Sequence, residues 1–445
     1  MAERLIVIGG DGAGMAAASI ARRRRPDLEI VALERGNYTS YSACGIPYVV
    51  GGEVASLEQL VARSPQQFRA EHRIDVRMGH EVVGIDLAAR RVTVRDHGHN
   101  RDLTLGFDVL HIATGSRPIR PSLPGIDSDF VHGVQTLDDA AHLLEHARQS
   151  KSSRVTVVGG GYIGLEMAEA FVRWGAEVTV LDAAPHVMRT FDDDMAVRVE
   201  EAMRRHGITV RTGVDVQGFE PGRVLTAEGP VDTDLVILGI GVAPNSGLAA
   251  DAGLELGARD AIRVDRRQAT SAEGVWAAGD CAETFHRVTQ RSVYIALGTV
   301  ANKTGRVAGI NLSGGYAAFE GVVGTAATRI CSAELARTGL TEREAAAAGF
   351  KAVTTTIEAT TQAGYLPTAR PLTVKMLAEV DTGRLLGAQI VGEEGAAKRI
   401  DVVATAITAR MTVADLMDLD LSYAPPVSPL WDPVQQAARQ LLSKV

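Results

Sequence analysis

Short, fully apolar runs that open directly onto glycines recur along the first two-thirds of this chain. RLIVIGG at the start and RVTVVGG near residue 155 are too short for helices and read as buried strands of a parallel sheet. Each leads through a Gly-rich turn into a small-residue helical stretch, GAGMAAASIARRRR or GYIGLEMAEAFVRW. Each then meets a second apolar run, EIVALER or AEVTVLD. The pattern therefore predicts strand–turn–helix–strand twice. Three further runs, LHIATGSRP (110–118), LVILGIGVAP (235–244) and TSAEGVWAAGDCAE (270–283), predict strands that close on turn residues. From about 321 the texture changes to hairpins and helical pieces, with DTG at 381–383 as a hairpin turn.

This order predicts an α/β protein with two Rossmann-like dinucleotide-binding domains and a C-terminal α+β domain. The boundaries fall at 1–115 with 246–320 for the first, discontinuous domain, 116–245 for the second, and 321–445 for the third.

Composition narrows the function. The 445 residues are 46% hydrophobic and 22% charged, with a formal charge of −8. That charge opposes binding to nucleic acid or to an acidic membrane surface. No run approaches the roughly 18–20 apolar residues of a spanning helix, and the N-terminus lacks a signal-peptide pattern. The three cysteines, Cys44, Cys281 and Cys331, form no CxxC and no zinc spacing. This usage suits a reducing cytoplasm, without a structural disulfide or a bound metal.

The chemistry sits in the turns. Gly9 and Gly14 match G-x-G-x-x-G, with Asp11 at its second glycine, and Glu34 closes the next strand 25 residues after Gly9. Gly159, Gly161 and Gly164 match fully, and Asp182 follows 23 residues after Gly159. Such glycines let backbone approach a pyrophosphate at a helix N-terminus, and the acid accepts from ribose hydroxyls. No arginine directly follows Asp182, which favours NADH over NADPH. Gly279-Asp280 closes a strand where an Asp can bind a sugar-like hydroxyl, and the helical segment IALGTVANKTG at 295–305 follows it.

Cys44 lies in TSYSACGIPYVVGG, where CGIPY can begin a helix with Pro47 in its first turn. A thiol there would feel the positive end of the helix dipole, which lowers its pKa. With no second cysteine beside it, its oxidised forms are a mixed disulfide with a small thiol, a persulfide, or a sulfenic acid. Cys281 and Cys331 read as packed thiols. The arginines in ARRRRPD are either solvated cations at a helix C-terminus or a grip on the phosphates of a nucleotide-bearing thiol.

The sequence of a Gly-rich βαβ unit, SACGIPY, ATGSRP, a second Gly-rich βαβ unit and AAGD resembles the pyridine nucleotide-disulfide oxidoreductases, in particular their single-cysteine branch. LSYAPPVSP and AGYLPTARPL look most like the coenzyme A disulfide reductases. The resemblance implies FAD and NADH (or NADPH) as cofactors, coenzyme A as substrate or mixed-disulfide adduct, and a homodimer whose active site is shared between subunits. It implies that Cys44, Tyr365 and Tyr423 are catalytic, the tyrosines acting in the neighbouring subunit. Residues implied at the flavin are Gly9, Gly10, Asp11, Gly12, Ala13, Gly14, Glu34, Arg35, Pro47, Val82, Ala113, Thr114, Gly115, Gly279, Asp280, Gly298 and Thr299. Those implied at the nicotinamide nucleotide are Gly159, Gly161, Tyr162, Ile163, Gly164, Glu166 and Asp182, and those at the substrate are Arg22, Arg23, Ser40, Ala43, His72, Arg73 and Asn302. The rival reading is an NADH oxidase or peroxidase working through a Cys44 sulfenic acid. It is opposed by Gly12, which stands where those enzymes carry an active-site histidine. Three positions depart from the disulfide reductases: Ala43 replaces a common Asn, His72 falls near a substrate-binding Lys, and Tyr365-Leu366-Pro367 replaces Tyr-Tyr-Pro.

Overall fold

The computed structural model describes residues 3–445. The first apolar run forms strand Arg4–Ile8, at the centre of a five-stranded parallel sheet. In spatial order its strands are Val275–Ala277, Val109–Ile112, Arg4–Ile8, Glu29–Glu34 and Asp75–Met78. Every residue of 109–112 is buried, as expected for a strand covered on both faces. The 275–277 strand joins from far along the chain, so turns 113–115 and 279–280 emerge at the same carboxyl edge as the Gly-rich turn at 9–14.

The second parallel sheet repeats the plan: Thr209–Thr212, Glu177–Asp182, Arg154–Val158, Leu235–Leu238 and Val131–Gly133. The run 235–244 divides at its glycines. Leu235–Leu238 is buried in this sheet, while Val242–Pro244 pairs antiparallel with Ser116–Pro118. These two short strands form a double connection between the parallel-sheet units, and Asn245 lies at its end.

The C-terminal third is a five-stranded antiparallel sheet, Ala326–Ile330, Ala333–Gly339, Leu385–Gly392, Pro371–Glu379 and Ala352–Thr360. The turn at 381–383 joins its strands 371–379 and 385–392. Helices Ile400–Thr408, Val413–Met417 and Pro433–Leu442 pack their buried residues into the core beneath it. The tail is less packed than its aromatic content suggests: Leu430 is 71% and Trp431 41% exposed in this chain. Among the described residues no helix is long and apolar enough to cross a membrane.

Candidate active site

The first Gly-rich turn carries its glycines for steric reasons. Gly9 has φ +106°, and a methyl group on Gly14 would sit 2.0 Å from the Gly9 carbonyl oxygen. The second turn repeats this, with Gly159 at φ +102° and the same 2.0 Å clash at Gly164 against Gly159. Neither following helix, Gly12–Arg24 or Tyr162–Trp174, has a side-chain N-cap. By contrast, helices Pro65–His72, Leu137–Gln149 and Glu342–Ala348 each close their N-terminus with a capping box. These two helices present uncapped first turns beside glycine turns that admit backbone-close ligands, which fits a pyrophosphate at each. The strand-end acids are bound alike. Glu34 accepts from the amides of Gly10 and Gly36 at 2.8 Å each, and Asp182 from those of Gly160 and Ala184 at 2.7 Å each.

Around the first turn the sheet brings together most of the flavin candidates. Asp11, at the N-cap position, accepts from the Tyr41 amide at 3.1 Å and thereby ties the turn to the Cys44 segment. Burial pushes its carboxyl up to about 6. Asp280 accepts from Ser116 Oγ at 3.3 Å, and burial raises its carboxyl as well. Gly279 donates to Thr304 Oγ1 at 3.2 Å, within helix Gly298–Leu312, whose exposed first residues are Gly298 and Thr299. Asn302, one turn on, is also exposed. Thr114 Oγ1 donates to the Asn245 carbonyl at 2.6 Å and Asn245 Nδ2 to the Thr114 carbonyl at 3.0 Å. Val82 sits in strand His80–Asp86 against the apolar cluster behind the sheet, and Arg35 is exposed.

Cys44 lies in a 3-10 turn, Ala43–Gly45, which leads into helix Ile46–Val50 with Pro47 in its first turn. Its thiol is free and exposed. The expected lowering of its pKa does not occur. Crowding by protein atoms raises it, and the carboxylates of Glu166, Asp280 and Asp11 add to the rise. A helix of only five residues contributes too small a dipole to outweigh this burial and the three acids that add to it. Glu166 is fixed from the C-terminal sheet, where Thr328 Oγ1 donates to its Oε1 at 2.5 Å, and burial raises its carboxyl. The other cysteines are quiet. Cys281 is fully buried and directs its S–H toward the Ala278 and Ile112 carbonyls, while burial pushes the Cys331 thiol up to about 12.

The substrate candidates divide. Arg22 is occupied, donating to the Pro26 carbonyl at 2.9 Å and the Arg73 carbonyl at 2.7 Å, so it pins helix Gly12–Arg24 to the end of helix Pro65–His72. Arg23 and Arg73 are exposed, and His72 stacks at a tilt on Phe68. Ser40 donates its amide to the Gly10 carbonyl at 3.0 Å. Tyr365 and Tyr423 are 75% and 48% exposed, on two loops joined by the Ala363 amide to the Pro425 carbonyl at 3.0 Å. Sequence reading missed Thr328 and Asn245. Each meets its partner across more than a hundred residues of chain, and neither belongs to a spaced motif.

Residues 3–305 match the pyridine nucleotide-disulphide oxidoreductase family, and residues 325–433 match its dimerisation domain. The chain is 39% identical over 447 residues to the NAD(P)H sulfur oxidoreductase (CoA-dependent) of Pyrococcus furiosus, an alignment spanning 99% of this chain and 100% of the relative. It is 28% identical over 428 residues to the coenzyme A disulfide reductase of Staphylococcus epidermidis, spanning 96% and 97%. The solved structure of an NAD-dependent persulfide reductase from A. fulgidus matches with a TM-score of 0.96 at 38% identity, spanning 99% of this chain and 83% of that one.

Proposed function

Since the chain belongs to the pyridine nucleotide-disulphide oxidoreductase family, we propose that it is an FAD-containing, NAD(P)H-dependent reductase of coenzyme A disulfide or a coenzyme A persulfide, acting through Cys44. The observation that carries this reading is the solitary, exposed thiol of Cys44, close to Asp11 of the first Gly-rich turn, Asp280 and Glu166 and with no second cysteine paired to it.

The thiolate of Cys44 attacks one sulfur of R–S–S–R. A Cys44–S–S–R bond forms, the substrate S–S bond breaks, and the expelled thiolate takes a proton. Two electrons and a second proton then cleave the mixed disulfide to the Cys44 thiolate and a second RSH. Bound FAD supplies the two-electron relay between nicotinamide and sulfur. The acids around Cys44 disfavour a free thiolate, whereas a mixed disulfide carries no charge at sulfur and escapes that penalty.

Tyr365 and Tyr423, left exposed by their own chain, extend in a homodimer to the Cys44 cleft of the neighbouring subunit and donate to the leaving sulfur. Arg23, free where Arg22 is tied, faces the phosphates of coenzyme A. Glu166, held by Thr328, stands at the nicotinamide side.

The test is anaerobic oxidation of NADH or NADPH with coenzyme A disulfide, and with polysulfide plus coenzyme A. The reading expects turnover with at least one of these in the absence of oxygen. Consumption only with oxygen or peroxide would overturn it in favour of sulfenic acid chemistry.

A further inference from the structure

Asp280 is reached by a hydrogen-bond relay that begins in the neighbouring unit. Gln135 Nε2 donates to Ser116 Oγ at 3.0 Å, and Ser116 Oγ donates to Asp280 Oδ2 at 3.3 Å. The two pairs are 19 and 164 residues apart in the chain. Ser116 opens strand Ser116–Pro118 of the double connection and is 7% exposed. Gln135 stands between strand Val131–Gly133, an edge of the second parallel sheet, and helix Leu137–Gln149. The relay therefore runs from the second parallel-sheet unit to the carboxyl edge of the first.

Its direction follows from donor chemistry. The side-chain nitrogen of Gln135 can only donate, so Ser116 Oγ accepts there and turns its own hydrogen to Asp280. Gln135 is itself held in place. Its backbone amide and that of Thr136 donate to Asp139 Oδ2 at 3.2 and 2.9 Å, at the capping box of the next helix. Among the described residues Ser116 is the one donor to the Asp280 carboxylate, and Asp280 Oδ1 accepts no hydrogen bond. Burial raises the Asp280 carboxyl, and the Ser116 bond opposes that rise.

We propose that Ser116 and Gln135 are positioning residues for flavin binding: they aim one hydrogen at Oδ2, so that Asp280 stays a full acceptor and offers Oδ1 to a hydroxyl of the flavin's sugar-alcohol chain. The inference rests on the FAD-containing reading of the site, with Asp280 at the flavin. The titratable groups that feel Asp280 are Asp11, Cys44, Cys281 and Tyr294, and Arg259 lies over the Tyr294 ring at 6.0 Å. Burial raises all four, and of these only Asp11, at about 6, changes charge in mildly acid solution. Asp11 is common to every variant below, so differences between variants report Asp280.

The test measures retention of FAD by the loaded enzyme, read as flavin in the filtrate after ultrafiltration, from about pH 8 down to about pH 5. As the pH falls, Asp280 protonates earlier where it lacks the Ser116 hydrogen. Ser116→Ala should hold FAD within about threefold of the parent at the alkaline end. At the acid end it should hold FAD about tenfold more weakly, as one hydrogen bond to a charged group implies. Ser116→Thr keeps the hydroxyl and should follow the parent throughout. A Ser116→Ala loss of equal size at every pH, or one shared by Ser116→Thr, would mark packing alone and overturn the proposal. Gln135→Glu places an acceptor where a donor stood and draws the Ser116 hydrogen away from Asp280. It should cost about as much as Ser116→Ala, whereas Gln135→Leu should cost about threefold or less. In the Ser116→Ala background Gln135→Glu should add little; additive losses, or equal losses for Gln135→Glu and Gln135→Leu, would overturn the relay. The measurement uses neither nicotinamide nor sulfur. A parent enzyme that holds no FAD would instead remove the flavin reading itself, and the proposal with it.

Discussion

In the first Gly-rich unit Glu34 accepts the amides of Gly10 and Gly36, and in the second Asp182 accepts those of Gly160 and Ala184. Both units carry a left-handed glycine, a glycine that no methyl group can replace, and an uncapped helix. They diverge in the charges gathered at their outlets. Asp11 and Asp280 stand at the first, and with Glu166 they add to the burial that raises the thiol of Cys44. Arg189 and Arg343 stand at the second. The shared neck suits a pyrophosphate, whereas the outlet charges decide what else is bound and in which protonation state. The neck is made by residues close in sequence, and the outlets by residues that only the tertiary fold brings together.

Cys44→Ser breaks this comparison most severely, because it removes the chemistry of the first outlet and leaves both necks intact. Reduction of coenzyme A disulfide should fall by at least about 10³-fold. Reduction of an artificial one-electron acceptor by NADH, measured in the same preparation, should persist. Gly14→Ala and Gly164→Ala then separate the two necks. Each added methyl meets a carbonyl at 2.0 Å, and overpacking of about 1–3 kcal/mol implies a loss of roughly 5- to 150-fold in affinity for the local ligand. Gly14→Ala should cost bound flavin, seen in the visible spectrum. Gly164→Ala should keep flavin but raise the KM for NADH.

Glu166→Gln sharpens the comparison at the thiol. The Glu166 carboxylate disfavours the Cys44 thiolate, so its removal should lower the thiol pKa. The pH profile of Cys44 alkylation by iodoacetamide should shift to lower pH, with faster reaction at neutral pH; a shift to higher pH would contradict the assignment. The smallest effect is expected for Thr328→Val, which deletes one hydrogen bond to Glu166, worth about 1 kcal/mol. It should change kcat for disulfide reduction roughly fivefold and leave flavin content unchanged.

Much of this arrangement was legible in the chain itself. The glycines at 9, 14, 159, 161 and 164 and the acids at 34 and 182 work through neighbours in the same βαβ unit, so their spacing carries the geometry. The hairpin at 381–383 was readable for the same reason. Cys44 could be singled out by its place in SACGIPY, but the direction of its pKa could not be read there. Asp280 reaches its surroundings through a strand that joins the sheet from residue 275, and Glu166 is aimed by Thr328. The role of Arg22 was hidden likewise, since its guanidinium is taken up by the carbonyl of Arg73. Arg189 and Arg343 lie outside any motif and meet only in the folded chain.

The central claim is that a single sulfur holds the substrate as a mixed disulfide. Incubation of the oxidised holoenzyme with coenzyme A disulfide, followed by peptide mass spectrometry without reductant, tests it directly. One coenzyme A should appear on the peptide containing Cys44 and none on those containing Cys281 or Cys331. An unmodified Cys44, one carrying only added oxygen, or an adduct on either of the other cysteines would contradict it.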